Sequence, residues 1–296
     1  MDVEQIKEKW ETYWKKGELL FIPEENARTE FQVDGISFEM SYVPARSKRG
    51  KKADNSCPWD YDLSTHYLFI DSYGGFTLVA NYYPIEMHHM MLLSNSHKVQ
   101  NDFNYQDIMD ITRYSEDSGI RSFLNLLGTA ATYEHLHAQS LGRQFVLEKF
   151  PLIELGNNER LMQGYPIGHV IVHGSPEQRS DLLFEKIEKL SNSGLHPTIR
   201  RDGSLCEKPL YTLLFWEDNI LLVPRRYELP PSAESMFGGL EMSCSFCIAN
   251  ANDPANPFNG YTSDRILNSI KEAGVRPDEA RFLHNGGKNV TTDRSG

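Results

Sequence analysis

Cysteine is scarce in this chain. Four of its 296 residues, Cys57, Cys206, Cys244 and Cys247, carry thiols, too few to staple a protein of this length, so reduced thiols are the expectation. No apolar run approaches the length of a membrane span, and the opening MDVEQIKEKWETYWKKGE is charged and amphipathic rather than a secretory leader, which predicts a soluble, cytoplasmic protein. Basic residues are outnumbered, 30 Lys and Arg against 41 Asp and Glu, for a formal charge of −11. That balance argues against nucleic acid or an anionic membrane as partner, but permits a small phosphate ligand held by a few local cations. A strict internal repeat is also missing. What the chain does have is 40% hydrophobic content, enough to bury a large core as one sizeable domain or two fused ones.

Val3, Ile6, Trp10 and Tyr13 recur at helical spacing and predict an N-terminal helix packed on the body, within a segment 1–27. From about 28 the pattern shortens to alternating or apolar runs, FQVDGISFEMSYV, HYLFIDS, FTLVANYY and HMMLLS, separated by turn residues such as Gly74-Gly75 and Pro84. A helix is predicted over about 104–118. Another follows Ser175, with an early Pro, Leu182, Leu183, Ile187 and Leu190 on one face and Gly194 as its stop. LYTLLFWEDNILLVPRR reads as a hairpin turning at Glu217-Asp218-Asn219, and 263–273 as a last helix. A faint echo between TLVANYYPIEMHHMMLLSNSH and YTLLFWEDNILLVPRRY suggests two degenerate halves, about 28–160 and 161–273, with 274–296 as a loose tail.

His135-Leu136-His137-Ala138-Gln139 is the most informative stretch. Residues two apart in an extended segment project from one face, so His135, His137 and Gln139 converge. A lone histidine on a half-buried strand reads as a packed residue satisfied by carbonyls. Two histidines and a glutamine, preceded by the Gly-, Ala- and Thr-rich segment 125–134 that lets an anion approach the backbone, read instead as a site. Neutral imidazole is abundant near pH 7 and is a good nucleophile toward phosphorus, which points to nucleotidyl transfer.

At these residues the chain resembles the histidine-triad superfamily, and within it the transferase branch, where Gln replaces the third His. The run 125–139 is similar to the corresponding strand of GDP-hexose phosphorylases, the GDP-L-galactose phosphorylase family, and also to diadenosine tetraphosphate phosphorylase and galactose-1-phosphate uridylyltransferase. VPARSKRGKK (43–52), VANYYPIEMHHMMLLSNSHK (79–98), FVLEKFPL (145–152), GYPIGHVIVHG (164–174), NILLVPRRYE (219–228) and FGGLEM (237–242) follow in the order that family leads one to expect. The resemblance implies an α+β fold, an antiparallel sheet flanked by helices. It implies His137 as the nucleophile, His135 as a positioning or phosphate-contacting neighbour, and Gln139 as a neutral amide holding a non-bridging oxygen, which cannot move a proton and so favours an anionic acceptor over water. Asn125, Gly128 and Thr132 are expected at the ligand. Glu134 departs from the pattern, where an amide is common, and is expected on the opposite, solvent-facing side.

Phosphate needs cations. Arg46 at the start of the loop ARSKRGKK is the first candidate and Lys149 in LEKF the second, both by position in the family pattern; Arg225-Arg226 is the weakest. His88, His89 and His97 are expected to be structural, and the solitary Cys244-x-x-Cys247 to be free thiols, since a closed zinc site needs four ligands. The expectation is therefore a nucleotidyltransferase of phosphorylase type, with a GDP-hexose as first substrate, phosphate as acceptor, and no metal or other cofactor. Its partners would be small molecules only, with neither nucleic acid nor membrane, and a homodimer is compatible with the pattern. A dinucleoside polyphosphate phosphorylase, a nucleotide hydrolase of the same superfamily and a non-catalytic nucleotide-binding protein stay open.

Overall fold

The computed structural model describes residues 2–48, 59, 62–131, 133–251 and 253–284. Helix α1 (Val3–Lys15) starts at Asp2, whose carboxylate accepts the Glu4 N–H, and buries Ile6 and Trp10. Strands β1 (Ala27–Val33) and β2 (Ile36–Tyr42) form a hairpin. Then come β3 (Phe69–Tyr73), β4 (Phe76–Ala80), β5 (Met90–Ser94), α2 (Tyr105–Ser118), β6 (Arg121–Asn125) and β7 (His137–Leu141). The same order repeats with β8 (Leu152–Gly156), β9 (Glu159–Met162), β10 (Val170–His173), α3 (Pro176–Ser191), β11 (Leu210–Trp216) and β12 (Asn219–Arg225). The chain ends in α4 (Gly239–Met242), β13 (Ser245–Ile248) and α5 (Ser263–Ala273).

Ten strands form one antiparallel sheet in the order β3-β4-β5-β7-β6-β11-β12-β10-β9-β8. That order is a mirror about the β6–β11 seam, so the two halves of the sheet are equivalent units of three strands, a helix and two strands. The units run from 69 to 141 and from 152 to 225, with the division inside 142–151 rather than at 160. The echo in the sequence had set β4–β5 against β11–β12, whereas the topology sets β4–β5 against β9–β10. The true counterparts are YPIEMHHMMLLS and YPIGHVIVHG, in which His89 and His169 stand just before β5 and β10.

Both long helices have capping boxes, Asn104 with Asp107 and Ser175 with Gln178. They lie side by side on one face of the sheet, where Ile108, Ile111 and Tyr114 of α2 and Leu183 and Leu190 of α3 join Leu92, Leu124, Leu213 and Leu222 in one core. On the opposite face the second half is covered. The three-stranded sheet β1-β2-β13, with α4 and α5, packs Phe38, Met242, Phe246 and Ile270 against Ile171, Leu214 and Leu221. The corresponding face of the first half keeps a cavity. Residues 274–284, expected to be a loose tail, instead belong to the body: Val275, Ala280 and Leu283 are buried, because Gly168 donates to the Val275 carbonyl at 2.8 Å and the apolar side chains close the core beside α3. The rest of that tail, from 285, lies outside the described residues.

Candidate active site

β6 and β7 pair only at their far ends, Arg121 with Leu141 through Phe123 with Gln139, and part where the loop 126–136 leaves the sheet. Gln100, fully buried, bridges the gap. Its Nε2 donates to the carbonyls of Asn125 (2.6 Å) and His137 (2.9 Å), and its Oε1 accepts the His137 N–H (2.8 Å). The loop folds on itself through Thr129, whose hydroxyl accepts the Leu126 N–H at 2.7 Å. No sequence signal singled out Gln100, since a glutamine in a polar loop reads as surface.

The His137 ring donates from Nδ1 to the carbonyl of His135 at 2.8 Å. A carbonyl only accepts, so Nδ1 holds the proton and Nε2 carries the lone pair. Trp59 and Tyr133 pack around the imidazole with ring centroids at 5.6 and 6.3 Å. His135 is buried with its Nε2 donating to the Ser94 carbonyl at 2.8 Å, and His97 stands against it at 5.6 Å. Its ring does not line the cavity, so its contribution to the site is the carbonyl that fixes the His137 tautomer.

Gln139 is set by His89. The Ile85 N–H donates to His89 Nδ1 (3.0 Å), which leaves the proton on Nε2, and that nitrogen donates to Gln139 Oε1 at 3.0 Å. With its oxygen engaged there, the amide offers hydrogens to a ligand. His89 was expected to be structural; it is fully buried, and its structural work is to orient the amide beside His137.

His137 and Gln139 open into a cavity of about 490 Å³, whose walls also include Arg46, Asn125, Glu241 and Cys247. Arg46 donates from Nη1 to the Tyr83 carbonyl at 2.6 Å, which pins it at the wall. Asn125 accepts the Gly239 N–H at 2.8 Å and thereby ties β6 to the FGGLEM segment. Glu241 takes the Gly238 N–H at 2.8 Å, and burial raises its carboxyl above the usual range. Burial likewise pushes the Cys247 thiol up to about 11, so it is a thiol rather than a thiolate at neutral pH. His66 and Tyr67, stacked at 5.0 Å, also line the cavity.

Other expected residues fall elsewhere. Gly128 is not in the cavity wall: at φ +97° it makes a turn in which a Cβ would meet Leu210 Cδ1 at 2.8 Å and Cys206 Sγ at 3.0 Å, so its need for glycine is steric. Lys149 lines a separate cavity and pairs with Glu30 at 3.6 Å, because the short helical turn 146–149 carries it to the β1 side of the sheet. Arg225, the last residue of β12, is buried and donates to Thr212 and to the carbonyls of Tyr227, Phe237 and Ala273, and Arg226 pairs with Glu279. Glu134 is exposed, and Cys206, Cys244 and Cys247 are free thiols. Thr132, Cys57, Arg49, Lys51 and Lys52 lie outside the described residues. Among the described residues no cluster of three or more His, Cys, Asp and Glu side chains is placed to hold a metal ion, and no helix is long and apolar enough to cross a membrane.

No protein-family model matches the chain, and no curated protein matches it in sequence. Solved structures do match. Yeast Ap4A phosphorylase Apa2 is similar over 92% of this chain and 96% of its own, at 13% identity and a TM-score of 0.66. Its complex with AMP matches over 92% and 95% at 13% identity and 0.66, and its complex with Ap4A over 92% and 96% at 12% identity and 0.64. At such identity the likeness is one of fold, and it extends over nearly the full length of both chains. The expected α+β architecture, an antiparallel sheet flanked by helices, is thus the one observed: this chain has the fold of the yeast phosphorylase.

Proposed function

We propose that this protein is a nucleotidyltransferase of phosphorylase type, acting through a nucleotidyl-histidine at His137. One observation carries the reading. In a single cavity a buried histidine, its Nε2 lone pair fixed by the Nδ1 hydrogen bond, stands beside an amide whose oxygen is already taken by His89. His137 Nε2 attacks the α-phosphorus, the P–N bond forms as the P–O bond to the leaving group breaks, and the electron pair departs with that phosphate oxygen. An oxygen of inorganic phosphate then attacks the same phosphorus, and the P–N electron pair returns to the imidazole. Two in-line displacements give net retention. Gln139 donates to a non-bridging oxygen in both steps and Arg46 supplies positive charge, while Asn125 holds the cavity wall.

The donor is a nucleotide whose α-phosphate is bridged to a leaving group bearing its own phosphate. A GDP-hexose is the first candidate, from the motifs that resemble that branch. A dinucleoside polyphosphate is the second, supported by the full-length likeness to a fold partner solved with Ap4A. Work in the cytoplasm fits both. The test is a panel of labelled nucleotide sugars and dinucleoside polyphosphates, quenched and mapped for an acid-labile adduct, with product measured with and without phosphate. Label on His137 and phosphate-dependent turnover support the proposal. Turnover indifferent to phosphate makes the protein a hydrolase, and binding that gives neither adduct nor product makes it a nucleotide-binding protein.

A further inference from the structure

A nucleotidyl donor brings at least two ionised phosphates, and its acceptor brings a third; among the described residues one guanidinium, Arg46, lines the cavity and balances only part of that charge. Most arginines of this acidic chain are already committed to carboxylates, among them Arg121 to Glu148, Arg143 to Glu39 and Arg160 to Glu154. Arg200, Arg201 and Arg281 are exposed and are not among them, and of these three Arg201 lies against a residue of the cavity wall. It is exposed, and among the described residues its guanidinium makes no ion pair.

Its position is built rather than incidental. Arg201 occupies the tip of a tight turn closed by Gly203 N–H to the Arg200 carbonyl (2.9 Å) and Arg200 N–H to the Ser204 carbonyl (2.8 Å), with Asp202 accepting from Ser204. The turn is fastened to the catalytic loop by Glu228, a buried carboxylate with one oxygen on the Arg201 N–H (3.1 Å) and the other on the Ala130 N–H (3.4 Å). Ala130 lines the cavity. So does Met236, whose sulfur lies 4.0 Å from Arg201 Nη1. The guanidinium therefore stands beside Met236 of the wall of the cavity that holds His137, and its backbone is tied through Glu228 to Ala130 of the same wall.

We propose that Arg201 forms a phosphate subsite beside this wall, which holds the leaving phosphate of the donor and then the inorganic phosphate that replaces it. In-line displacement requires the two to occupy one position, opposite Nε2 of His137 and open to the mouth through which they exchange. The acceptor role rests on the phosphorylase reading; the anion subsite does not.

Inorganic phosphate and a nucleoside monophosphate are titrated separately into the full-length wild-type, R201A, R201K and H137A proteins, by calorimetry. R201A is expected to weaken phosphate about tenfold while binding of the monophosphate, which lacks a leaving phosphate, stays within twofold; R201K recovers part of the loss and H137A keeps phosphate binding. Phosphate affinity in R201A within twofold of wild type overturns the subsite, as does a wild type that binds no phosphate, or equal weakening of both ligands. Loss of phosphate binding in R201A without any adduct at His137 leaves the subsite standing and removes the phosphorylase. An adduct with R201A unaltered does the reverse.

Discussion

A histidine attacks phosphorus only if one nitrogen holds its lone pair toward the substrate and the ring cannot turn away. At His137 the His135 carbonyl accepts the hydrogen bond from Nδ1, and the Gln100 side chain clamps the main chain on both its polar atoms. His137→Ala should lower kcat at least about a thousandfold while nucleotide binding persists, read by turnover and by calorimetry. His89→Ala frees the Gln139 amide to turn, and should lower kcat by roughly tenfold to a hundredfold with little change in KM. An unchanged kcat would show that the amide orientation is irrelevant. His169, the counterpart of His89 in the second half, sits in a filled core, where it accepts the Met162 N–H and donates to the Ile167 carbonyl. Burial pulls its pKa down from 6.5 to about 4. A depressed histidine is neutral in the fold while the unfolded chain takes up a proton, so its contribution is whole above pH 6.5 and is lost as pH falls toward 4, roughly 3 kcal/mol in all. The urea midpoint should drop across that window, and less steeply in His169→Gln.

At the scale of elements, glycines and one arginine decide how the FGGLEM segment meets the sheet. A Cβ on Gly239 would lie 2.4 Å from the Phe123 ring, and one on Gly238 would lie 2.7 Å from Asn125 Nδ2. Gly239→Ala should therefore destabilise the protein by about 1–3 kcal/mol, measured by urea unfolding, and distort the cavity wall that Phe123 shares with Gln139. Burial brings the Arg225 guanidinium down to about 10, so it remains charged at neutral pH, and carbonyl oxygens on three segments surround it. The two long helices, the hairpin of β11 and β12, and α5 were legible in the sequence, because capping residues, apolar spacing and turn chemistry are local. The partner of each strand was not: matching runs of apolar residues set β4–β5 against β11–β12, while the shared YPI and the histidine before β5 and β10 carry the real equivalence. The same limit applies to the cations. Arg46 was placed at the cavity by its position in a motif, but Lys149, placed by the same reasoning, is turned to the β1 side by a single helical turn.

Across the whole molecule, one sheet built from two like units carries both long helices on one face, and on the other the second unit is covered while the first keeps the cavity. In the second unit a two-residue turn joins β11 to β12, and the hairpin β1–β2 with the C-terminal elements packs over the strands. The first unit has the loop 126–136 in place of that turn, and its face keeps the cavity. Because β6 and β11 pair at the seam, neither unit is closed without the other. Residues 1–150 expressed alone should show no cooperative unfolding transition by circular dichroism and should be digested rapidly; a cooperative transition would mean the halves are independent domains. The sequence by itself determined the helices, the mixed class of the fold and the placing of His137 and Gln139 on one strand, since these depend on spacing within a dozen residues. Only the tertiary structure decided which half keeps a cavity, that Gln100 and His89 hold His137 and Gln139, and that Arg201 lies against Met236 of the cavity wall, because each rests on groups 25 or more residues apart in the chain, brought together by strand pairing and burial rather than by local pattern.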